Sequence, residues 1–595
     1  MRPSYLPFIF LSVYLSALCA AKIVERAEEL PTQDFDFIVI GGGTAGSVVA
    51  SRLSEDPSVS VLVLEAGPSN EGIQDSIVPA FFPLLSGSEY DWKYTAHLGA
   101  AVNNRSVSLV GGRILGGTSS INGMAYTRGS SDDWNRYASV TGDPGWSWDN
   151  VQPYFRKNEH FTQPADKHNI TGQFDPTVHS FNGTMSVTLS GFLHQMDALA
   201  IESSMTSEEW PFNLDFNGGN TLGISWMQST ILNGERSSAA TAYLAPNTVQ
   251  QRPNLHILVN ATVTRILPTN ASNEEQLAFD GVEFTQDDGE TLQTVKGNKE
   301  IVLSAGTVGS VKVLLHSGVG PSDSLTNIGI TPLHNLPSVG RNLSEQALLP
   351  YGFLVNSTDP TATANPTPIP EMLAEWNNSR SGPLVDGALN SIGFGRLPED
   401  SEIYQRFEDT SAGPNGGHFQ ISFTNGMTAA LFGQPANVTG FIPLMVAPAS
   451  RGFVGLNSSN PLDSPNVQVN LLSNEFDLFT LRYAIRSIQR FIASQPFQDA
   501  KFIVGPLVNV TTDEEIDEFI RENVSGALHV VGTNSMSPKG ADWGVVDPDL
   551  RLKGAKGVRV VDASVLPYVP SASPQVPVYI VAERASDLIK ASWNY

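Results

Sequence analysis

Three glycines carry the first chemical signal in this chain. Gly41-x-Gly43-x-x-Gly46 follows the apolar run Phe37 to Ile40 and opens a stretch of small and apolar residues (Ser47, Val48, Val49, Ala50, Leu53) at helical spacing. That pattern predicts a strand, a tight turn and a helix suited to a dinucleotide. Gly41 permits the turn, Gly43 lets the backbone approach a pyrophosphate, and Gly46 lets helix and strand pack closely. The helix start, at Thr44 and Ala45, offers free N–H groups and a favourable dipole to phosphates. A second apolar strand, Val59 to Leu64, ends in Glu65, which lies 19 residues past Gly46. An acid there can accept hydrogen bonds from ribose hydroxyls. These residues alone would serve NAD or FAD, and the bland alternative is a glycine-rich turn in another α/β protein.

A second glycine-rich stretch is Gly111-Gly-Arg-Ile-Leu-Gly-Gly-Thr-Ser-Ser-Ile-Asn-Gly123. Gly116 and Gly117 let backbone approach a flat or anionic ligand, while Thr118, Ser119, Ser120 and Asn122 supply short polar groups. Read alone, it is an ordinary tight loop.

The elements that must position these groups belong to a chain of 595 residues, long enough for two or more cores. Its 41% hydrophobic and 16% charged residues fit a globular protein. A formal charge of −25 disfavours nucleic acid and anionic membranes as partners. Arg2, the apolar run Leu6 to Leu18 and the small residues Ala17, Cys19, Ala20 and Ala21 read as a signal peptide over residues 1–21. The only cysteine, Cys19, lies inside it, so the exported chain is expected to lack disulfides and thiol chemistry. Asn-x-Ser/Thr sequons at Asn104, Asn169, Asn182, Asn260, Asn270, Asn342, Asn356, Asn377, Asn437, Asn457, Asn509 and Asn523 fit a secreted protein bearing several N-glycans. No metal site is assigned.

Asn254 to Ile266 reads as two strands. From Leu348 to Thr511 the composition changes to Thr- and Pro-rich loops (Asp359 to Pro370) and strand-like runs (His418 to Phe423, Val438 to Val446). A helix is expected around Asp477 to Ile492, where Leu478, Leu481, Ile485, Ile488 and Ile492 recur at three- and four-residue spacing. The strand Val558 to Val561 leads to Asp562, and a last helix is expected over Pro577 to Lys590, with Pro577 at its first position.

Taken with the opening motif, the GGRILGGTSSIN segment resembles the glucose–methanol–choline (GMC) family of flavin oxidoreductases. Gly145-Trp-Ser-Trp-Asp149, Tyr154-Phe155, Asn233 to Leu244, Ser304 to Gly320 and Leu336-Pro-Ser-Val-Gly-Arg-Asn-Leu343 continue it in the family's order. Asn457 to Asp463 and Leu472 to Phe479 look most like fungal aryl-alcohol oxidases. The resemblance implies an α/β (α+β) fold with a Rossmann-like FAD-binding domain and a sheet-based substrate domain. The expected division is residues 33–345 with inserted cap segments, 346–511 for substrate, and 512–595 returning to the flavin. FAD is the implied cofactor, with Gly41, Gly43, Thr44, Ala45, Gly46, Glu65, Gly117, Thr118, Asn122, Asp562 and Gln575 around it and Val263 against the adenine through its backbone. Asp562 could otherwise cap a turn.

The same resemblance makes His529 the base that takes the hydroxyl proton of an alcohol while flavin N5 takes the hydride. Four departures stand out. Ser573 occupies the position of a second histidine or asparagine, where it can donate one hydrogen bond but carry no positive charge. Glu345-Gln346 replaces an acid–histidine pair. Leu109 and Leu528 stand where the aryl-alcohol oxidases place aromatic rings. Val311 replaces a proline, which at that point would be a helix-start preference. The expected activity is oxidation of a primary alcohol, aryl or otherwise activated or biosynthetic, with oxygen or a quinone as acceptor. A cyanohydrin-type lyase and a degenerate flavin protein remain as alternatives.

Overall fold

The strand Phe35–Ile40, buried on both faces, lies at the centre of a parallel sheet. The computed structural model describes residues 22–32, 34–270, 277–359, 361–362, 367–387, 389–424 and 437–595. The expected signal peptide and Cys19 lie outside the described residues, as does part of the loop 359–370. Val61–Leu64 and Gln293–Leu303 flank the central strand in parallel. Leu255–Leu258 and Lys22–Val24 extend one side, and Val558–Val560 joins beside Leu303. The sheet is therefore assembled from three separated parts of the chain. Near-continuous Val, Ile and Leu in these strands is what burial on both faces requires.

Gln293–Leu303 has a second task. Its first half pairs antiparallel with Leu277–Thr285, which pairs with Thr262–Pro268, so one long strand carries this meander into the parallel sheet. The helix Thr44–Leu53 packs along the C-terminal helix Gln575–Trp593. The two are pinned at the fully buried Glu583, which pairs with Arg52 at 2.7 Å and accepts the Tyr243 hydroxyl at 2.8 Å.

The second sheet is antiparallel, in the order Ile503–Pro506, Tyr351–Val355, Val438–Met445, Phe419–Thr424, Leu389–Gly395 and Gly223–Trp226. Its last strand is contributed by a segment far upstream of the others. Glu475–Ile492 forms the expected amphipathic helix: Leu478, Leu481, Ile485 and Ile488 are buried, with Ile492 half-buried. It covers the sheet face that carries Phe419, Ile421, Phe423 and Phe441, with Phe423 and Phe491 rings 5.7 Å apart.

Two local expectations change. The last helix starts at Gln575, so Pro577 is its third residue rather than its first. Its missing N–H is still among the four that no helical carbonyl would take, so the proline costs nothing there. Val311 is fully buried inside the helix Gly306–His316, not at its start. A helix-start preference does not account for a proline at that position.

Candidate active site

A cavity of about 1200 Å³ runs from the first glycine turn to the uncovered face of the second sheet. Gly41, Gly43, Thr44, Ala45, Glu65 and Val263 line one end, and Gly117, Thr118, Asn122, Asp562 and Gln575 line the middle. His529, Ser573, Leu109 and Leu528 lie on its walls as well. Gly46 does not reach it. Gly46 instead packs beneath the turn, where an added β-carbon would collide with the carbonyl oxygen of Gly41.

The dinucleotide end is held by backbone. Gly41 has φ +94°, which the turn demands and a larger residue would resist. Glu65 accepts the N–H of Gly42 through Oε2 and that of Gly67 through Oε1, both at 2.8 Å. Burial pushes its pKa up to about 7, against the pull of those two amides. Each carboxyl oxygen keeps lone-pair capacity toward the cavity. Gly43 differs from its neighbours: a β-carbon there would meet only Gly117 Cα, at 3.7 Å. Among the described residues nothing requires a glycine at this point, which leaves the backbone open to whatever enters the cavity.

The second glycine-rich loop continues the floor. Asn122 Nδ2 donates to Gln575 Oε1 at 2.5 Å, and Gln575 Nε2 donates to Thr230 Oγ1 at 3.3 Å. The Asn122 carbonyl oxygens accept from Arg236 Nη1, which also reaches Ser119 O. Arg236 is buried with no carboxylate partner among the described residues, and desolvation lowers its pKa to about 9. Asp562 does cap a turn: Oδ1 accepts the N–H of Ser564, while Oδ2 accepts the N–H of Gly306 and the Ser310 hydroxyl.

The corner around His529 and Ser573 is held by side chains. His529 Nδ1 lies 2.7 Å from Gln346 Oε1, and its backbone N–H donates to Glu345 Oε1 at 2.9 Å. Gln346 Nε2 donates to Pro570 O at 2.9 Å and Ala572 O at 3.2 Å, in the loop that carries Ser573. Burial raises the Glu345 pKa to about 8 and lowers that of His529 to about 4. The imidazole is partly open to the cavity but enclosed by protein elsewhere, which accounts for the direction of its shift. Leu528, just before it, is held at φ +67°, an uncommon setting for a leucine. Ser573 is anchored by its backbone N–H to Thr127 Oγ1 at 2.8 Å, and its hydroxyl has no partner among the described residues.

Glu345 and Gln346 entered the sequence reading only as a departure, with no role. The sheet itself is expected from its strand-like runs, but not which of its residues face the cavity. Gln420, Ser422 and Thr424 line the cavity from one strand, beside Gly440, Ile442 and Leu444 from the next. Period-2 alternation of polar with apolar residues in Phe419-Gln-Ile-Ser-Phe-Thr424 was the available signal.

The family models match over most of this framework. Residues 35–348 match the N-terminal model of the GMC oxidoreductases, and residues 448–582 match the C-terminal one. The chain belongs to the GMC oxidoreductase family. It is an FAD-dependent oxidoreductase acting on CH–OH donors, and its glycine turn, bare Gly43 and elongated cavity fit that cofactor. Pyranose dehydrogenase 3 of Leucoagaricus meleagris is 40% identical over 588 residues, spanning 96% of this chain and 95% of that protein. A solved structure of formate oxidase from Aspergillus oryzae RIB40 gives a TM-score of 0.85 at 27% identity, covering 95% of this chain and 100% of that one. A fungal aryl-alcohol oxidase structure gives 0.78 at 24% identity over 95% of this chain and 100% of that one, a likeness of fold.

Proposed function

We propose that this GMC oxidoreductase is a secreted enzyme that oxidises a hydroxyl-bearing small molecule, with His529 as general base. The observation that carries the reading is the His529 ring, whose Nδ1 is engaged by Gln346 while Nε2 has no partner among the described residues. Bound FAD supplies the hydride acceptor. Gly41, Gly43, Thr44, Ala45, Glu65, Gly117, Thr118, Asn122, Val263, Asp562 and Gln575 would hold it, with Gly46 shaping the turn beneath. His529 Nε2 takes the hydroxyl proton, and the Ser573 hydroxyl donates one hydrogen bond to the substrate oxygen. A base of low pKa suffices because the hydroxyl becomes acidic as its α-hydride leaves. Oxygen or a quinone would remove the electrons.

The polar side chains of Gln420 and Ser422 on the sheet wall favour a polyhydroxylated substrate such as a pyranose, in keeping with the name of the 40%-identical relative. An aryl or other activated primary alcohol is the second reading, supported by Phe82, Tyr351 and Phe519 on the same cavity. Anaerobic mixing with pyranoses and with benzylic alcohols separates them, read by bleaching of the flavin band near ~450 nm. Bleaching by sugars alone supports the first reading and by benzylic alcohols alone the second. Aldehyde release without bleaching, or no response to any member, would overturn both. Export is supported by solvent-exposed sequons at Asn104, Asn169, Asn182 and Asn377. Asn342 is committed to Ser535 and Pro567 and would stay unmodified. Mass mapping of glycopeptides tests both statements.

A further inference from the structure

We propose that Gln346 is a positioning residue that fixes His529 as its Nδ1–H tautomer and ties that ring to the loop carrying Ser573. The inference rests on His529 being the base. Its argument is a count of donors and acceptors. Pro570 O and Ala572 O can only accept, so the Gln346 atom facing them must be the amide nitrogen, which donates at 2.9 and 3.2 Å. The amide orientation is therefore determined by the network. Its Oε1, 2.7 Å from His529 Nδ1, can only accept in turn, so Nδ1 must carry the proton. A neutral imidazole with a proton on Nδ1 has its lone pair on Nε2. That is the nitrogen with no protein partner among the described residues. The opposite tautomer would set two lone pairs against each other at the same distance.

The surroundings leave little slack. Gln346 is fully buried, so water does not compete for its amide. The adjacent Glu345 holds the His529 backbone N–H at 2.9 Å. Consecutive residues thus fix the backbone and the ring of the same histidine. Because the amide's other end grips Pro570 and Ala572, the separation between His529 and Ser573 is set by one planar group. A carboxylate in this position would raise the basicity of the ring, whereas the neutral amide sets the tautomer and adds no charge.

The test uses the FAD-loaded enzyme labelled with 15N-histidine, with the His529 signals assigned by their loss in His529→Asn. Wild type is expected to show one tautomer, protonated at Nδ1. Gln346→Met, which keeps length but neither donates nor accepts well, should mix the tautomers. It should also slow anaerobic flavin reduction about 100-fold, as misorientation of a reacting group does, with substrate affinity changed less than about threefold. Gln346→His can donate one ring N–H to a loop carbonyl and accept with the other nitrogen, so it should keep one tautomer and recover most of the rate. A wild-type ring protonated at Nε2, or a Gln346→Met enzyme with unchanged rate and tautomer, would overturn the inference. If His529→Ala reduces flavin at the wild-type rate, the base assignment itself falls, whatever the Gln346 variants do.

Discussion

The two ends of the cavity are built by different means. At the dinucleotide end, backbone does the shaping: a left-handed glycine, a glycine with no room for a side chain, and a carboxyl bonded to two nearby amides. The controlling contacts span short stretches of sequence. At the corner around His529, side chains do it, and Gln346 reaches 183 residues to His529 and 224 to Pro570. A ligand gripped by backbone leaves a spacing pattern in the sequence. A side chain oriented by another side chain leaves only an unremarkable glutamine.

That contrast can be broken or sharpened by substitution. Gly46→Val should have the largest effect, because the β-carbon collides with Gly41 O. The expected outcome is protein that accumulates poorly and carries no FAD, read from the flavin-to-protein absorbance ratio. His529→Ala should slow flavin reduction by about 1000-fold, within the range for loss of a general base, and leave FAD content unchanged. Near-normal reduction in stopped flow would remove His529 from the chemistry. Gly43→Ala should weaken FAD binding by roughly tenfold, about 1.4 kcal/mol, with the melting temperature of the apoprotein unchanged. A lower apoprotein melting temperature would mean that Gly43 serves the fold and not the ligand.

Ser573→Ala should change the reduction rate only a few-fold, since a single neutral hydrogen bond is at stake. Ser573→His should raise the rate on benzylic alcohols, and an unchanged rate would count against Ser573 facing the substrate. The smallest effect is expected from pH. With the His529 pKa lowered to about 4 by burial, the ring stays neutral and the reduction rate should be level from about pH 5 to 8, falling below about pH 4. The same shift works on stability. Between the ordinary histidine value near 6.5 and about 4, the unfolded chain takes up the proton first, so this residue's contribution is lost as pH falls through that window. A reduction rate that declines already near pH 6.5 would show a ring still in contact with bulk water.

The legible parts follow the same division. The strand, turn and helix at Phe37 to Leu53, the acid at Glu65, and the helix Glu475–Ile492 all declare themselves through local spacing or periodicity. The strand Gly223–Trp226 does not, because its partner Leu389–Gly395 lies far downstream and supplies the reason for its existence. The Asn122–Gln575 bond, 453 residues apart, is equally silent, although both residues carried cofactor expectations from the family resemblance. Gln346 was visible as a departure but not as a partner, since nothing in a linear pattern says which histidine it meets. The helix start at Gln575 was misplaced by two residues because a proline is a guide to the first turn and not to one position in it.

The strand Phe419–Thr424 keeps its aromatic and aliphatic residues on the face under Glu475–Ile492 and its polar residues on the face toward the cavity. Core packing and cavity lining are thereby written on alternate letters of one segment. Positions 420 and 422 can change the lining of the cavity while 419, 421 and 423 hold the core and Thr424 stays bonded to Gly440. Selection acting on one set leaves the other free, which gives an enzyme of this architecture a route to new chemistry that does not pass through loss of the fold.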